Sequence, residues 1–167
     1  MRRVLLAVLL AALIALSGCS ALPGGQTGDD PPAVSAENAD PGATNVTQTL
    51  RIAADGTTNG TELSAIGATY PRDEFSVETA QHDAIAVGVD TDDDGDVDRP
   101  FNETHISGVN TNAYSFDVTL ETGYTLERGD VVVVRYPAVD NPSEAGEYDV
   151  DVRLNDGQTA TETLTFE

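Results

Sequence analysis

Alternating hydrophobic and polar residues dominate the chain from Val46 onward. The clearest example is AYSFDVTLET, residues 113–122, where aromatic and aliphatic residues alternate with Ser, Asp, Thr and Glu. EYDVDVRLN, residues 147–155, has the same pattern, and VTQTLRIA and TATETLTFE show it more weakly. Successive side chains of a β-strand point to opposite faces, so a period of two predicts strands with one buried face.

Two further segments are apolar at nearly every position. DAIAVGV, residues 83–89, and DVVVVRYP, residues 130–137, predict strands buried on both faces. Turn pairs such as Asn59-Gly60 and Asp156-Gly157 separate the segments, and no stretch has a helical hydrophobic stripe. Seven to nine short strands in about 120 residues predict an all-β, two-sheet sandwich, with a small barrel as the alternative.

One stretch resembles a known kind of module. GDVVVVRYPAVDNPSEAGEYDVDVRLN, residues 129–155, resembles the closing hairpin of immunoglobulin-like modules on prokaryotic surface proteins. In those modules a Gly-Asp turn opens one strand and a Gly-x-Tyr start opens the next. The region from Ala84 to Asn155 also resembles domains of secreted haloarchaeal proteins of undefined role. The resemblance implies an immunoglobulin-like sandwich and no particular activity.

The N-terminus has the layout of an export signal. MRRVLLAVLLAALIALSGC contains two arginines, an apolar run from Val4 to Leu16, and small residues before Cys19. The run is shorter than the roughly 20 residues that span a membrane. Cys19, the sole cysteine, follows Leu-Ser-Gly, and this resembles the lipobox of prokaryotic lipoproteins, which implies lipidation of Cys19. A plain cleaved signal peptide is the alternative. Arg2-Arg3 resembles a twin-arginine export signal.

The segment after Cys19 has the composition of a linker. Residues 20–45 are rich in Pro, Gly, Ala, Asp and Ser and have no periodic apolar positions. We therefore predict a lipoprotein signal peptide over residues 1–19, a flexible, disordered tether over residues 20–45, and a β-sandwich domain over residues 46–167. A partly ordered arm is the alternative for the tether.

The charge is strongly acidic. The chain has 29 acidic and 8 basic residues, all of the latter arginine, and a formal net charge of −21. Such a surface repels nucleic acid and anionic lipid head groups. The composition resembles proteins of extremely halophilic archaea, in which molar salt screens charges beyond about 3 Å. An ordinary acidic secreted protein is the alternative.

A run of aspartates suggests a cation site. In VDTDDDGDVDRPF, Asp90 to Gly95 match the first half of a calcium loop, with aspartates at its first, third and fifth positions and glycine at the sixth. The second half departs, because the twelfth position is Phe101 instead of glutamate, and Glu103 lies two residues further. The predicted ion is Ca²⁺, and its predicted ligands are Asp90, Asp92, Asp94, Asp96 and Asp98. Solvated acidic surface is the other interpretation, and both remain open.

Three Asn-x-Thr sequons predict glycosylation of Asn45, Asn59 and Asn102. No residues are predicted to be catalytic, since the chain lacks a G-x-S-x-G elbow and has no clustered histidines or cysteines for zinc or copper. His105 and Ser107 could be neighbours on one strand, but no orienting group accompanies them. A hydrolase is therefore a distant option.

The sequence predicts a non-enzymatic, lipid-anchored domain on the extracellular face of the cell membrane, with a structural, adhesion or partner-recognition role. Its expected partners are the membrane, through the lipid, and envelope proteins or glycans. The alternative is an accessory binding lipoprotein that captures a cation or small solute. A concave pocket with convergent polar groups would favour the alternative, and flat, open sheet faces would favour recognition.

Overall fold

The computed structural model describes residues 32–167, which form two antiparallel β-sheets. Two 3₁₀ turns, His82–Ala84 and Glu103–His105, are the helical segments of this part of the chain. The strands are β1 (Val34–Ala36), β2 (Val46–Ala53), β3 (Ala65–Thr69), β4 (Ser76–Val77), β5 (Ala86–Asp90), β6 (Arg99–Phe101), β7 (Ile106–Asn112), β8 (Ser115–Leu120), β9 (Val131–Asp140), β10 (Gly146–Leu154) and β11 (Gln158–Phe166). Eleven strands exceed the predicted number, because β1, β4 and β6 are too short to show alternation.

The strands form a two-sheet sandwich. The six-stranded sheet has the order β1-β2-β9-β5-β6, and β4 pairs with the end of β9. The five-stranded sheet has the order β11-β10-β3-β8-β7. This arrangement confirms the predicted all-β, immunoglobulin-like fold. No helix between residues 32 and 167 is long and apolar enough to cross a membrane.

The core lies between the two sheets. Phe116 of β8 and Tyr136 of β9 stack across it with ring centroids 3.9 Å apart. The Tyr136 hydroxyl is also satisfied, since it donates to the Glu78 carbonyl at 2.7 Å and accepts from the Ala80 N–H at 3.0 Å. The positions that alternation along β8 and β10 predicted to face the core do so, and Val118 and Val150 among them are fully buried.

The N-terminal boundary differs from the prediction. β1 pairs with β2, and Val34 is buried. The buried Asn141 side chain donates to the carbonyls of Asn38 and Asp40 at 2.8 and 3.0 Å. Residues 34–45 thus belong to the sandwich, and the predicted tether, residues 20–45, extends too far along the chain. A three-residue strand inside a Pro- and Gly-rich segment leaves no periodic signal. Residues 1–31, including the predicted signal peptide, lie outside the described residues.

The prediction that residues 129–155 form a closing hairpin is also wrong. The two strands begin where expected, after Gly129-Asp130 and at Gly146. However, β9 belongs to the six-stranded sheet and β10 to the five-stranded sheet. The buried pair Asn141-Pro142 carries the chain from one sheet to the other. The hairpin near the end of the chain is β10–β11, which is paired along its full length from Gly146 with Phe166 to Leu154 with Gln158.

Candidate functional site

The aspartate-rich segment is the loop between β5 and β6, residues 91–98, named here the acidic loop. It folds back over the outer face of the six-stranded sheet. Arg51, on the outer face of β2, donates to the Gly95 carbonyl at 3.3 Å. Val97 packs so closely over Gly88 that a Cβ there would lie 2.3 Å from its Cγ1. This cover explains why Val133, beside Arg51 and Gly88 in the sheet, is buried on the outer face.

An ion pair anchors the acidic loop to the sheet. The Arg51 guanidinium donates to Oδ2 of Asp90 at 2.6 Å, and the Arg51 and Asp90 side chains are 9% and 0% exposed. The Gly95 N–H donates to the same oxygen at 3.0 Å. Burial would raise the pKa of Asp90, but the hydrogen bonds from Arg51 and the loop backbone outweigh it and hold that pKa below its usual range. Asp90 is therefore a buried carboxylate.

The other oxygen of Asp90 is unsatisfied. Its Oδ1 is buried and has no hydrogen-bond partner among the described residues. One carboxylate oxygen each of Asp90, Asp92 and Asp98 lies within 4.8 Å of the others. Asp98 is also fixed through one oxygen, since its Oδ2 accepts from the Thr91 N–H and Oγ1, both at 2.8 Å. These bonds lower the pKa of Asp98. The hydrogen bonds that fix Asp90 and Asp98 thus use Oδ2 of each residue and leave Oδ1 of each free of them.

Asp92 lies among several like charges. The negative charge of Asp94 raises its pKa, followed by partial burial and the charges of Asp98 and Asp90. Of the predicted ligands, Asp94 and Asp96 are not members of the three-carboxylate group. Oδ1 of Asp94 instead accepts from the Asp96 N–H at 2.9 Å.

The later positions of the predicted calcium loop have other roles. Phe101 packs against the core, and Glu103 lies in the 3₁₀ turn that follows β6, outside the carboxylate group. Sequence reasoning missed Arg51. Its signal was an arginine on the polar side of a strand in a chain with only 8 basic residues.

The outer face of the five-stranded sheet is open and polar, and we name it the polar sheet face. It has four exposed threonines on β11, and small or polar residues on β3, β8 and β7. Glu147, Asp149 and Asp151 form a row along β10, since they alternate on one side of the strand. None of these three carboxylates has an ion-pair partner within residues 32–167. The Thr161 hydroxyl donates to Asp151 at 2.7 Å.

A recess of about 300 Å³ lies at the centre of the polar sheet face. Its floor is Gly67 of β3, which stands between Arg153 of β10 and Asp117 of β8 in the register. Arg153 and Asp117 form an ion pair across this glycine. A Cβ at Gly67 would lie 2.6 Å from the Phe116 carbonyl oxygen and 3.2 Å from Asp117 Oδ2. The glycine therefore permits both the close approach of the strands and the ion pair, and no pattern in the sequence indicates this role.

The three sequon asparagines are exposed at separate places. Asn45 lies just before β2, Asn59 accepts from the Arg128 N–H at 2.9 Å, and Asn102 caps the second 3₁₀ turn. His105 lies in that turn and its ring contacts the Asn102 side-chain oxygen at 3.0 Å, so it does not share a strand face with Ser107. Glycosylation stays a prediction, as does lipidation of Cys19, which lies outside the described residues.

The chain matches no protein-family model and no curated protein. It is similar to ACE19, the collagen-binding subdomain of the Enterococcus faecalis surface protein ACE, at 14% identity over 79% of this chain and 94% of that one, with a TM-score of 0.37. It is also similar to a collagen-binding domain from a Staphylococcus aureus adhesin, at 11% identity over 73% of this chain and 88% of that one, with a TM-score of 0.40. An uncharacterized protein from Nocardia farcinica with an immunoglobulin-like fold is 18% identical over 81% of this chain and 96% of that one, with a TM-score of 0.38. Likeness at this level concerns the fold alone and carries no functional argument.

Proposed function

We propose that this protein is a non-enzymatic surface domain of a halophile, lipid-anchored at the extracellular face of the membrane, that recognises a protein partner through the polar sheet face. The observation that carries the proposal is the row of carboxylates on this open face that have no ion-pair partner within residues 32–167. The recess above Gly67 interrupts a sheet surface and is bounded by strand backbone and by Asp117, Asp151 and Arg153. Such a surface suits an extended partner better than an enclosed solute.

The chemistry of the face specifies the partner. Glu147, Asp149 and Asp151 repeat every second residue along β10, so their carboxylates follow the two-residue repeat of an extended chain. A segment with basic side chains at alternate positions would place one cation against each carboxylate. Complementary charge of this kind gives specificity and register at an interface. The proposed partner is therefore an envelope protein that presents an extended, basic segment.

Binding of a model peptide tests this recognition. The probe is a fluorescent nine-residue peptide of alternating Arg and Thr, the length of β10. We expect it to bind the full chain in detergent at about 1 M KCl, where long-range attraction is screened to about 3 Å. Replacing both Asp149 and Asp151 with Asn should raise the dissociation constant of the peptide about tenfold, because two carboxylates that pair with its arginines are lost. Fluorescence anisotropy measures this change.

A matched pair of substitutions controls for net charge. Asp73→Asn with Asp83→Asn removes the same charge from exposed positions off the polar sheet face, and it should change the peptide affinity less than twofold. An equal loss in both double variants would show non-specific attraction and contradict the proposal. Absence of peptide binding to the unaltered chain would contradict it as well.

The anchor is tested separately through Cys19. With Cys19→Ser no thiol is available for the lipid, because the chain has a single cysteine. We expect the variant to appear in the medium, or to accumulate with its signal peptide uncleaved. Fractionation and mass spectrometry of the cells distinguish these states from the membrane-bound wild type. Ser17→Ala leaves the cysteine in place and should remain in the membrane. Membrane retention of the Cys19→Ser protein at wild-type mass would refute the lipid anchor.

A further inference from the structure

We propose that the acidic loop binds one Ca²⁺ through Oδ1 of Asp90 and one carboxylate oxygen each of Asp92 and Asp98. The assignment is independent of partner recognition by the polar sheet face. Of the five aspartates selected by their spacing in the sequence, it retains the three whose carboxylate oxygens lie within 4.8 Å of one another. The ion would also provide a partner for Asp90 Oδ1, the buried carboxylate oxygen that has no hydrogen-bond partner among the described residues.

A buried oxygen without a partner is costly. A buried polar atom without a hydrogen-bond partner destabilises the fold, and more so when the group is charged. The second oxygen of Asp90 already accepts from Arg51 and Gly95, so the carboxylate is held in one orientation. Oδ1 is then the oxygen left for a further contact. A cation beside Asp92 and Asp98 would supply it.

Hydrogen bonds from neighbouring residues orient two of the three carboxylates. Arg51 and Gly95 fix Asp90, and Thr91 fixes Asp98 through both its N–H and its hydroxyl. Groups that orient ligands in this way raise metal affinity, because the ligands lose little freedom on binding. Asp92 is exposed, and one of its carboxylate oxygens lies within 4.8 Å of those of Asp90 and Asp98. A divalent ion would relieve the repulsion between these carboxylates.

The geometry and the donors favour Ca²⁺. All the proposed protein ligands are carboxylate oxygens, which hard cations prefer. Calcium binds oxygen at about 2.3–2.6 Å with six to eight ligands, whereas Mg²⁺ requires near-octahedral ligands at about 2.0–2.1 Å. Oxygens within 4.8 Å of one another can all reach a single ion at calcium–oxygen distances. Water would complete the shell on the exposed side.

Arg51 is compatible with the ion. Its guanidinium contacts Oδ2 of Asp90 and lies 3.7 Å from Asp93 Oδ1, so its charge is shared by these two carboxylates. Asp92, Asp98, Asp94 and Asp96 remain around the loop without an ion pair among the described residues. The net local charge is still strongly negative. Calcium would thus add a second link between the loop and the sheet through Asp90, beside the one made by Arg51.

Calorimetric titration of the chelator-treated full chain in detergent with CaCl₂ tests the proposal at about 1 M KCl. We expect one saturable site per chain. Asp92→Asn and Asp98→Asn should each weaken calcium binding at least tenfold. Both residues are exposed, so neither variant leaves a buried charge unpaired, and thermal unfolding without calcium verifies that each variant folds.

Asp94→Asn and Asp96→Asn are the matched controls, since each removes one charge from the same loop outside the carboxylate group. They should weaken binding less than threefold. Equal losses in all four variants would indicate diffuse binding to an acidic loop and overturn the site. The absence of any calcium binding would overturn it too. MgCl₂ binding as tightly as CaCl₂ would overturn the assignment to calcium.

Discussion

Replacing Arg51 with Met is expected to lower the free energy of unfolding by about 3–5 kcal/mol, the usual cost of removing one partner from a buried ion pair. Methionine retains much of the side-chain volume over Val133 but leaves the Asp90 carboxylate buried without its cation. It also removes the contact with the Gly95 carbonyl, so the acidic loop loses its tie to β2. Urea denaturation at constant salt measures the change.

The pH dependence identifies the cause. In the wild type the pKa of Asp90 lies below its ordinary value of 3.8. Asp90 therefore contributes stability that is fully present above pH 3.8 and is lost as the pH falls through the lowered folded pKa. Without Arg51 that pKa should rise, because burial is then opposed only by the backbone hydrogen bonds. The difference in stability between wild type and variant should then shrink as the pH falls toward and below 4.

Arg135→Met provides the comparison. Arg135 pairs with Glu37 at 3.8 Å, and their side chains are 55% and 65% exposed. Exposed pairs contribute about 0–1 kcal/mol, so this variant should lose far less stability than Arg51→Met. Similar small losses in both variants, with no pH dependence, would mean that the Arg51–Asp90 pair does not hold the acidic loop to the sheet.

The alternation of residues was sufficient to predict the fold class, because strands that bury one face must pair into layers. It could not assign strands to sheets. β9 and β10 are neighbours in sequence and both carry strong strand patterns, yet they belong to opposite sheets. Asn141-Pro142 marks a turn between them but does not determine which strand β10 then pairs with. That choice depends on distant strands, since β10 pairs with β3 and β11.

The grouping of the loop carboxylates could be predicted only in part, for a similar reason. Spacing along the chain selected five aspartates as ligands, as in a loop that wraps around its ion. In the structure the loop joins two strands and is bound to a sheet, so Arg51 and Thr91 decide which carboxylates meet. Arg51 is 39 residues from Asp90, which places it beyond any local motif. The burial of Val133 likewise depends on a segment distant in sequence, since the acidic loop covers the outer face of β9.

Asn155, at the turn after β10, should be the other sensitive position. It is 7% exposed and has a left-handed backbone, with φ of 50°. Its Oδ1 accepts from the N–H groups of Ser64 and Ala65 at 2.9 and 3.1 Å, and its Nδ2 donates to the Glu62 carbonyl at 2.8 Å. One side chain thus fixes the backbone before β3 to the end of β10.

Asn155→Ala should lower the free energy of unfolding by about 2–4 kcal/mol, because these backbone groups lose their partner and alanine disfavours a positive φ. Asn155→Asp keeps an acceptor for the two N–H groups but cannot donate to Glu62, so it should fall in between. Asn112→Ala is the matched control, since the exposed Asn112 accepts from the Tyr114 N–H alone and should cost about 0.5–1 kcal/mol. If urea denaturation gives Asn155→Ala and Asn112→Ala equal losses, the Asn155 side chain does not join β3 to β10 as the contacts indicate.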